Sequence, residues 1–241
     1  PHECSSAASD VYKRQIPVPI IIAIAVALGG ALGTVITLNW DKILVFFQGK
    51  TIAVLGTNRV GKTTLIKFLT EGWLPKAYKT TRGTERTKGE RYRLKDLDLK
   101  LSKSKDVSGH ERARDQWAVL VKNAEVLIYI VFADKLLANH AETVGRIEAD
   151  MRLLRQWVQE APNLKQCFIV GNFADNIPGF RSMGADDLVE LEDRFQKHET
   201  IIQASMSLRT KEAPVVPVIV GSMASIEDTQ DLVYALFKQV V

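Results

Sequence analysis

The run GTNRVGKTT at residues 56–64 points most directly to chemistry. It fits the pattern G-x-x-x-x-G-K-[ST]. Gly56 and Gly61 allow a turn that aims backbone N–H groups at phosphate oxygens, and the following helix adds favourable partial charge at its N-terminus. The phosphate-binding candidates are Gly56, Thr57, Asn58, Arg59, Val60, Gly61, Lys62, Thr63 and Thr64. Lys62 is suited to the β- and γ-phosphates and Thr63 to Mg²⁺, while Thr64 stands one step past the phosphates. The expected ligand is a nucleotide carrying Mg²⁺.

Three further groups follow in chain order. Asp106 and Gly109 form D-x-x-G within DVSGHERARDQW, residues 106–117. There Asp106 would hold the metal through water and the Gly109 N–H would face the γ-phosphate. NFAD, residues 172–175, follows an apolar run. The usual motif at such a place is N-K-x-D. Asp175 can accept two hydrogen bonds from guanine N1 and N2, and a base without those donors would leave the carboxylate unpaired. Phe173 stands where the motif has lysine and can cover a face of the base. GSMA, residues 221–224, offers Ser222 and the Met223 backbone N–H to the guanine O6. Asn172, Phe173, Asp175, Ser222 and Met223 are thus the base-binding candidates. A closing switch threonine is sought in TTRGTE, residues 80–85, where Thr80, Thr81 and Thr84 are open choices.

The elements that must position these residues can be read coarsely. TIAVL at 51–55, VLIYIVF at 126–132 and CFIVG at 167–171 read as buried strands, and VVPVIVG at 215–221 as a further strand with Pro217 at its start or edge. Residues 91–107 alternate over two runs, as a half-exposed hairpin would. Helical patterns cover 61–70, 142–160, 185–208 and 226–239. In the third of these, Leu188, Leu191, Phe195, Ile202 and Met206 form one stripe expected to face the sheet. Strands alternating with helices predict an α/β domain with a mixed, mostly parallel sheet flanked by helices.

Together these motifs resemble the Ras-like small GTPases, most specifically the Arf branch, over about residues 50–240. Arf proteins carry D-V-G-G-Q-x-x-x-R-x-x-W; this chain has Asp106, Val107, Ser108, Gly109 and His110, then Arg114 and Trp117 at the same spacings. Thr81-Arg82-Gly83 is similar to the Arf T-I-G switch, and its position after Lys62 suits the Ras family, which makes Thr81 the metal-binding choice beside Thr63 and Asp106. The resemblance implies a P-loop G domain binding GTP and GDP with Mg²⁺ and hydrolysing GTP slowly. His110 takes the place of the glutamine that orients the attacking water, as in translation factors and Sar proteins. Arg59 matches an arginine that guanylate-binding proteins and atlastins use as an internal finger; an arginine turned into solvent is the other reading. The catalytic candidates are therefore His110 and Arg59. A rival reading is a nucleotide-holding receptor or scaffold subunit with little hydrolysis. An ATPase of another P-loop class is disfavoured by Asp175 and by the 106–117 match.

The N-terminal part is read separately. Residues 1–15 lack periodicity and are expected to be a non-native tail resembling translated adapter sequence. Residues 16–38 carry no charge and as a helix would reach about 34 Å, against about 30 Å for a bilayer core. They are expected to be a single transmembrane helix, with Trp40, Asp41 and Lys42 as its interfacial stop, 39–49 as connector and 50–241 as the GTPase domain on the cytoplasmic side. A span before an Arf-like domain resembles the signal recognition particle receptor β subunits. Ala25, Gly29 and Gly33 share one helical face, a spacing that small residues use in helix pairing and that is also common in membrane helices generally.

The formal charge of +4 is mild. The basic stretch Lys76, Lys79, Arg82, Arg86, Lys88, Arg91, Arg93 and Lys95 would suit anionic lipid or simply a solvated strand face, and without interleaved aromatics it does not suggest nucleic acid. The two cysteines, Cys4 and Cys167, give no disulfide framework. The expected partners are a guanine nucleotide, a membrane, a protein effector of unknown identity and, through Arg59, a second copy of the chain.

Overall fold

A computed structural model describes residues 50–71, 92–94, 97–101 and 111–238. The first strand, β1 (Thr51–Gly56), leads through the phosphate loop into α1 (Lys62–Glu71). Then come β2 (Tyr92–Leu94), β3 (Leu97–Leu101), α2 (Glu111–Asn123) and β4 (Val126–Phe132). A short α3 (Ala133–Leu137) precedes α4 (Ala141–Gln159) and β5 (Gln166–Asn172). The chain continues with α5 (Ala185–Gln196), α6 (Glu199–Leu208), β6 (Val218–Val220) and α7 (Ile226–Lys238).

The six strands form one sheet in the order β2-β3-β1-β4-β5-β6. β2 pairs antiparallel with β3, and every other neighbouring pair is parallel. The expected mixed, mostly parallel sheet is therefore what forms. Its central strands are buried on both faces, which is why they read as unbroken apolar runs rather than alternating ones. Alternate residues of β1 divide the core. Ala53 and Leu55 pack with Trp117 and Val121 of α2, Leu154 of α4 and Phe195 of α5. Ile52 and Val54 pack on the other face with Leu65 and Phe68 of α1 and Leu232 and Leu236 of α7. Each fully buried Val, Leu, Ile or Phe among them contributes about 1.5–3 kcal/mol relative to exposure. Cys167 lies in this core, where burial pushes its thiol up to about 12.

Three details depart from the sequence expectation. The helix at 185–208 is two helices. His198 breaks it with extended backbone (φ −62°, ψ 128°), and its ring nitrogen accepts a hydrogen bond from the Thr200 N–H at the start of α6. The break resets the helical phase. Leu191 and Phe195 are buried as expected, but α6 turns Ile201, Ala204 and Leu208 inward and leaves Ile202 and Met206 exposed. The last strand is also shorter than expected, beginning after Pro217, which has no N–H for the ladder; its carbonyl instead accepts from the Ile169 N–H.

The third correction concerns location. Among the described residues no helix is long and apolar enough to cross a membrane. The longest, α4, carries Glu142, Arg146, Glu148, Asp150, Arg152 and Arg155. Segment 16–38 lies outside the described residues, and the expected single-pass membrane placement is not retained.

Candidate functional site

In an open sheet with parallel strands, ligands settle outside the carboxyl ends of the strands. Here the carboxyl ends of β1, β5 and β6 deliver the phosphate loop, the NFAD segment and the GSMA segment to the same edge. Register fixes this placement: Gly56 lies opposite Ile130 on β4, Ile130 opposite Val170 on β5, and Gly171 opposite Val220 on β6.

The phosphate loop is built on unusual backbone. Gly56 has φ 141°, Arg59 φ 63° and Gly61 φ 105°. At Gly61 a Cβ would lie 2.6 Å from both the Asn172 amide nitrogen and the Met223 methyl carbon. This one glycine is therefore the point where the phosphate loop touches both base-side segments. The Gly61 carbonyl accepts from the Leu65 N–H at 2.9 Å and so begins α1. Lys62 is buried, and its ammonium donates to the Thr57 carbonyl at 2.7 Å, which holds the charge inside the curve of the loop. Asn58, Arg59 and Thr63 are exposed, and Thr64 is half-buried. Val60 is a core residue with 0% exposure, so only its backbone is available to a ligand. The Thr57 hydroxyl oxygen is buried with no hydrogen-bond partner among the described residues.

The base-side segments are tied to this loop and to each other. Asn172 ends β5, is 3% exposed and donates from Nδ2 to the Val60 carbonyl at 2.9 Å. Among the described residues its buried Oδ1 has no hydrogen-bond partner. Ser222 donates to Asp175 Oδ1 at 2.6 Å, and its oxygen in turn accepts from the Ala224 N–H at 3.0 Å. The Ala174 N–H donates to the Gly221 carbonyl at 3.0 Å. Phe173 adopts the left-handed region (φ 69°, ψ 32°), an outlier for a bulky side chain that costs on the order of 1–3 kcal/mol and so must be held by its surroundings.

Further out, Arg181 and Asp228 form a two-pronged ion pair at 2.6 and 2.7 Å that joins the turn after NFAD to the start of α7. The guanidinium holds the Asp228 carboxyl below its usual range. On α7, burial first, then the charges of Asp228 and Glu227, push Asp231 up to about 6.

The phosphate loop, Asn172, Phe173, Asp175, Ser222 and Met223 are thus brought together at one edge. Thr81, Asp106, Gly109 and His110 lie outside the described residues, as do Thr80 and Thr84. Trp117 is a core residue, 6% exposed. Three neighbours of the site had no sequence signal. Arg181 and Asp228 meet across a long sequence gap, and Phe132, which stacks on Phe173 at a centroid distance of 5.2 Å, reads as the end of a strand.

No curated protein matches the chain. The model of the ADP-ribosylation factor family matches residues 40–213, which take in the phosphate loop and the NFAD segment. The chain belongs to the Arf family of GTP-binding small GTPases.

Proposed function

We propose that this protein is a guanine-nucleotide switch that binds GTP or GDP with Mg²⁺, hydrolyses GTP slowly and changes its affinity for a protein partner as it does so. The observation that carries the reading is the Asn172–Val60 hydrogen bond. It joins the base-side strand end to the phosphate loop as one unit, which suits a ligand with a base at one end and phosphates at the other.

The roles follow from chemistry. The loop N–H groups and the Lys62 ammonium take the phosphate charge in a site whose donors are already oriented. The Asp175 carboxylate, aligned by Ser222, accepts from the two donors on the guanine edge. Mg²⁺ suits the hard oxygen of Thr63, exposed on the first turn of α1, with Thr81 and Asp106 completing the set; when bound it neutralises developing phosphate charge. His110 orients the attacking water. Arg59, exposed on the left-handed turn of the loop, stabilises charge at the γ-phosphate from the same copy or a second one. Without an activating partner, turnover of this type runs near 10⁻⁴ to 10⁻³ s⁻¹, as an order of magnitude.

The decisive experiment is competition binding on the purified chain, with and without Mg²⁺, followed by multiple-turnover phosphate release. GDP and GTP should displace a fluorescent guanine nucleotide where ADP and ATP do not. Equal competition by adenine nucleotides would sink the reading. His110→Ala should keep GTP binding and lose most hydrolysis; an unchanged rate removes His110 from the mechanism. Tight GTP binding with no release of phosphate would instead favour a nucleotide-holding subunit, a reading that the replacement of lysine by Phe173 supports.

A further inference from the structure

We infer that the purine lies on a two-ring aromatic platform, Phe173 backed by Phe132, and that Phe132 is a positioning residue for the base. The inference rests on the guanine-nucleotide reading and deepens it, because it says what replaces the missing lysine of N-K-x-D.

The Phe132 and Phe173 rings are stacked, with centroids 5.2 Å apart and planes inclined by 25°. That geometry is favourable for an aromatic pair. It also answers what holds Phe173 in a backbone conformation that bulky residues avoid. Phe132 is the last residue of β4 and sits in register opposite Asn172, the last residue of β5. The sheet therefore fixes the supporting ring beside the residue from which NFAD departs. Backbone bonds pin the other side of the turn: the Ala174 N–H to the Gly221 carbonyl at 3.0 Å, and the Asn176 N–H to the Phe173 carbonyl at 3.2 Å.

Phe132 has its own second contact, the Lys135 ammonium lying 4.4 Å from its ring centroid. A cation over an aromatic ring is attracted by the negative face. Lys135, Phe132 and Phe173 thus form a chain of contacts. Phe173 is half-buried, and it stands between Asn172 and Asp175, the residues that flank the base. A flat purine held by Asp175 along one edge completes the stack on the Phe173 ring.

Stacking reads the face of a base and not its edge, so it strengthens binding of any purine alike. Discrimination stays with Asp175. The platform and the carboxylate then have separable signatures: one sets affinity, the other the preference for guanine.

The test measures equilibrium affinity of the full chain for GDP and for IDP, which lacks the 2-amino group. Phe173→Ala should weaken both by the same factor, about 5- to 150-fold. Phe132→Leu keeps apolar volume but removes the ring, and should weaken both by a common factor of about two to twelve. Phe132→Tyr should restore wild-type affinity. The GDP:IDP ratio should hold in all three and collapse in Asp175→Ala. Unchanged affinities in Phe173→Ala and Phe132→Leu would overturn the platform while leaving the guanine reading intact. A fall in the GDP:IDP ratio in Phe132→Leu would also overturn it, because Phe132 would then be placing the Asp175 carboxylate rather than backing the ring that covers the base. Failure of the wild-type chain to bind GDP would sink the underlying reading instead.

Discussion

The two ends of the sheet are built on different terms. At the amino ends of β1 and β5, Glu125 serves as a staple. One carboxylate oxygen accepts from the Thr51 N–H at 3.2 Å and the other from the Lys165 ammonium at 3.0 Å. The Glu125 backbone closes the corner too, donating to the Thr51 carbonyl and accepting from the Lys165 and Gln166 N–H groups. At the carboxyl ends the chain takes positive φ at Gly56, Arg59, Gly61 and Phe173, and the buried Thr57 hydroxyl and Asn172 Oδ1 have no partners among the described residues. Among the described residues the remaining positive-φ non-glycine, Asn139, is of a type that adopts this conformation readily. Strain and unmet hydrogen-bonding capacity gather where a ligand can compensate for them, and the satisfied end supplies the stability that tolerates it.

The largest effect that could break this contrast is at Gly61. Gly61→Val should lower GDP affinity by more than about 100-fold and cost about 1–3 kcal/mol of stability, since the side chain would strike Asn172 and Met223 at a positive φ. Titration with GDP and a denaturant melt check both; near-normal binding would show that the close approach is not needed. Next comes Asp175→Asn, which replaces the acceptor we propose for the two guanine donors. GDP affinity should fall about 10- to 150-fold with the melting temperature little changed. A matching loss of stability would mean that the carboxylate is structural.

At the stapled end the signature should invert. Glu125→Ala should cost about 1 kcal/mol at neutral pH, since the carboxylate is partly exposed and its ion pair is screened, and it should leave GDP affinity unchanged. Its bond from Lys165 lowers the folded pKa, so this contribution is present above the unfolded value of 4.5 and is lost as pH falls through the folded one. Denaturant melts at pH 7 and pH 3 should show the variant's deficit shrinking. A deficit that persists in acid would assign it to packing.

The smallest effect is at Asp231, whose folded value of about 6 lies above the ordinary 3.8. The folded state then holds the proton more tightly, so this group's stabilising contribution is full below about 4 and is lost as pH rises through about 6. Asp231→Asn should raise the melting temperature by a few degrees at pH 7.5, if screening leaves about 1 kcal/mol, and by nothing at pH 4. An equal rise at both pH values would remove the carboxyl's charge as the cause.

Much of this was legible because the signals are local. The phosphate loop is a contiguous spacing, and NFAD and GSMA follow strands whose apolar runs are unmistakable. What escaped is set by distance or by small energies. His198 breaks a helix whose apolar stripe, read at a constant 3.6-residue period, runs on into α6, and only the ring's bonds to the Thr200 N–H and to Asn139 show why. Phe132 meets Phe173, and Arg181 meets Asp228, only once the sheet has set their register. The short α3 has too few residues for a period and no side-chain cap to announce it.

The Asn172–Val60 bond has a consequence for release. A nucleotide gripped by two independent loops would have to be freed from each. Here the buried amide links them, so a displacement of either segment is felt by the other. An exchange catalyst for this protein would need one handle on the molecule rather than two, and the turn at 176–183, tethered to α7 through Arg181, is within its reach from solvent.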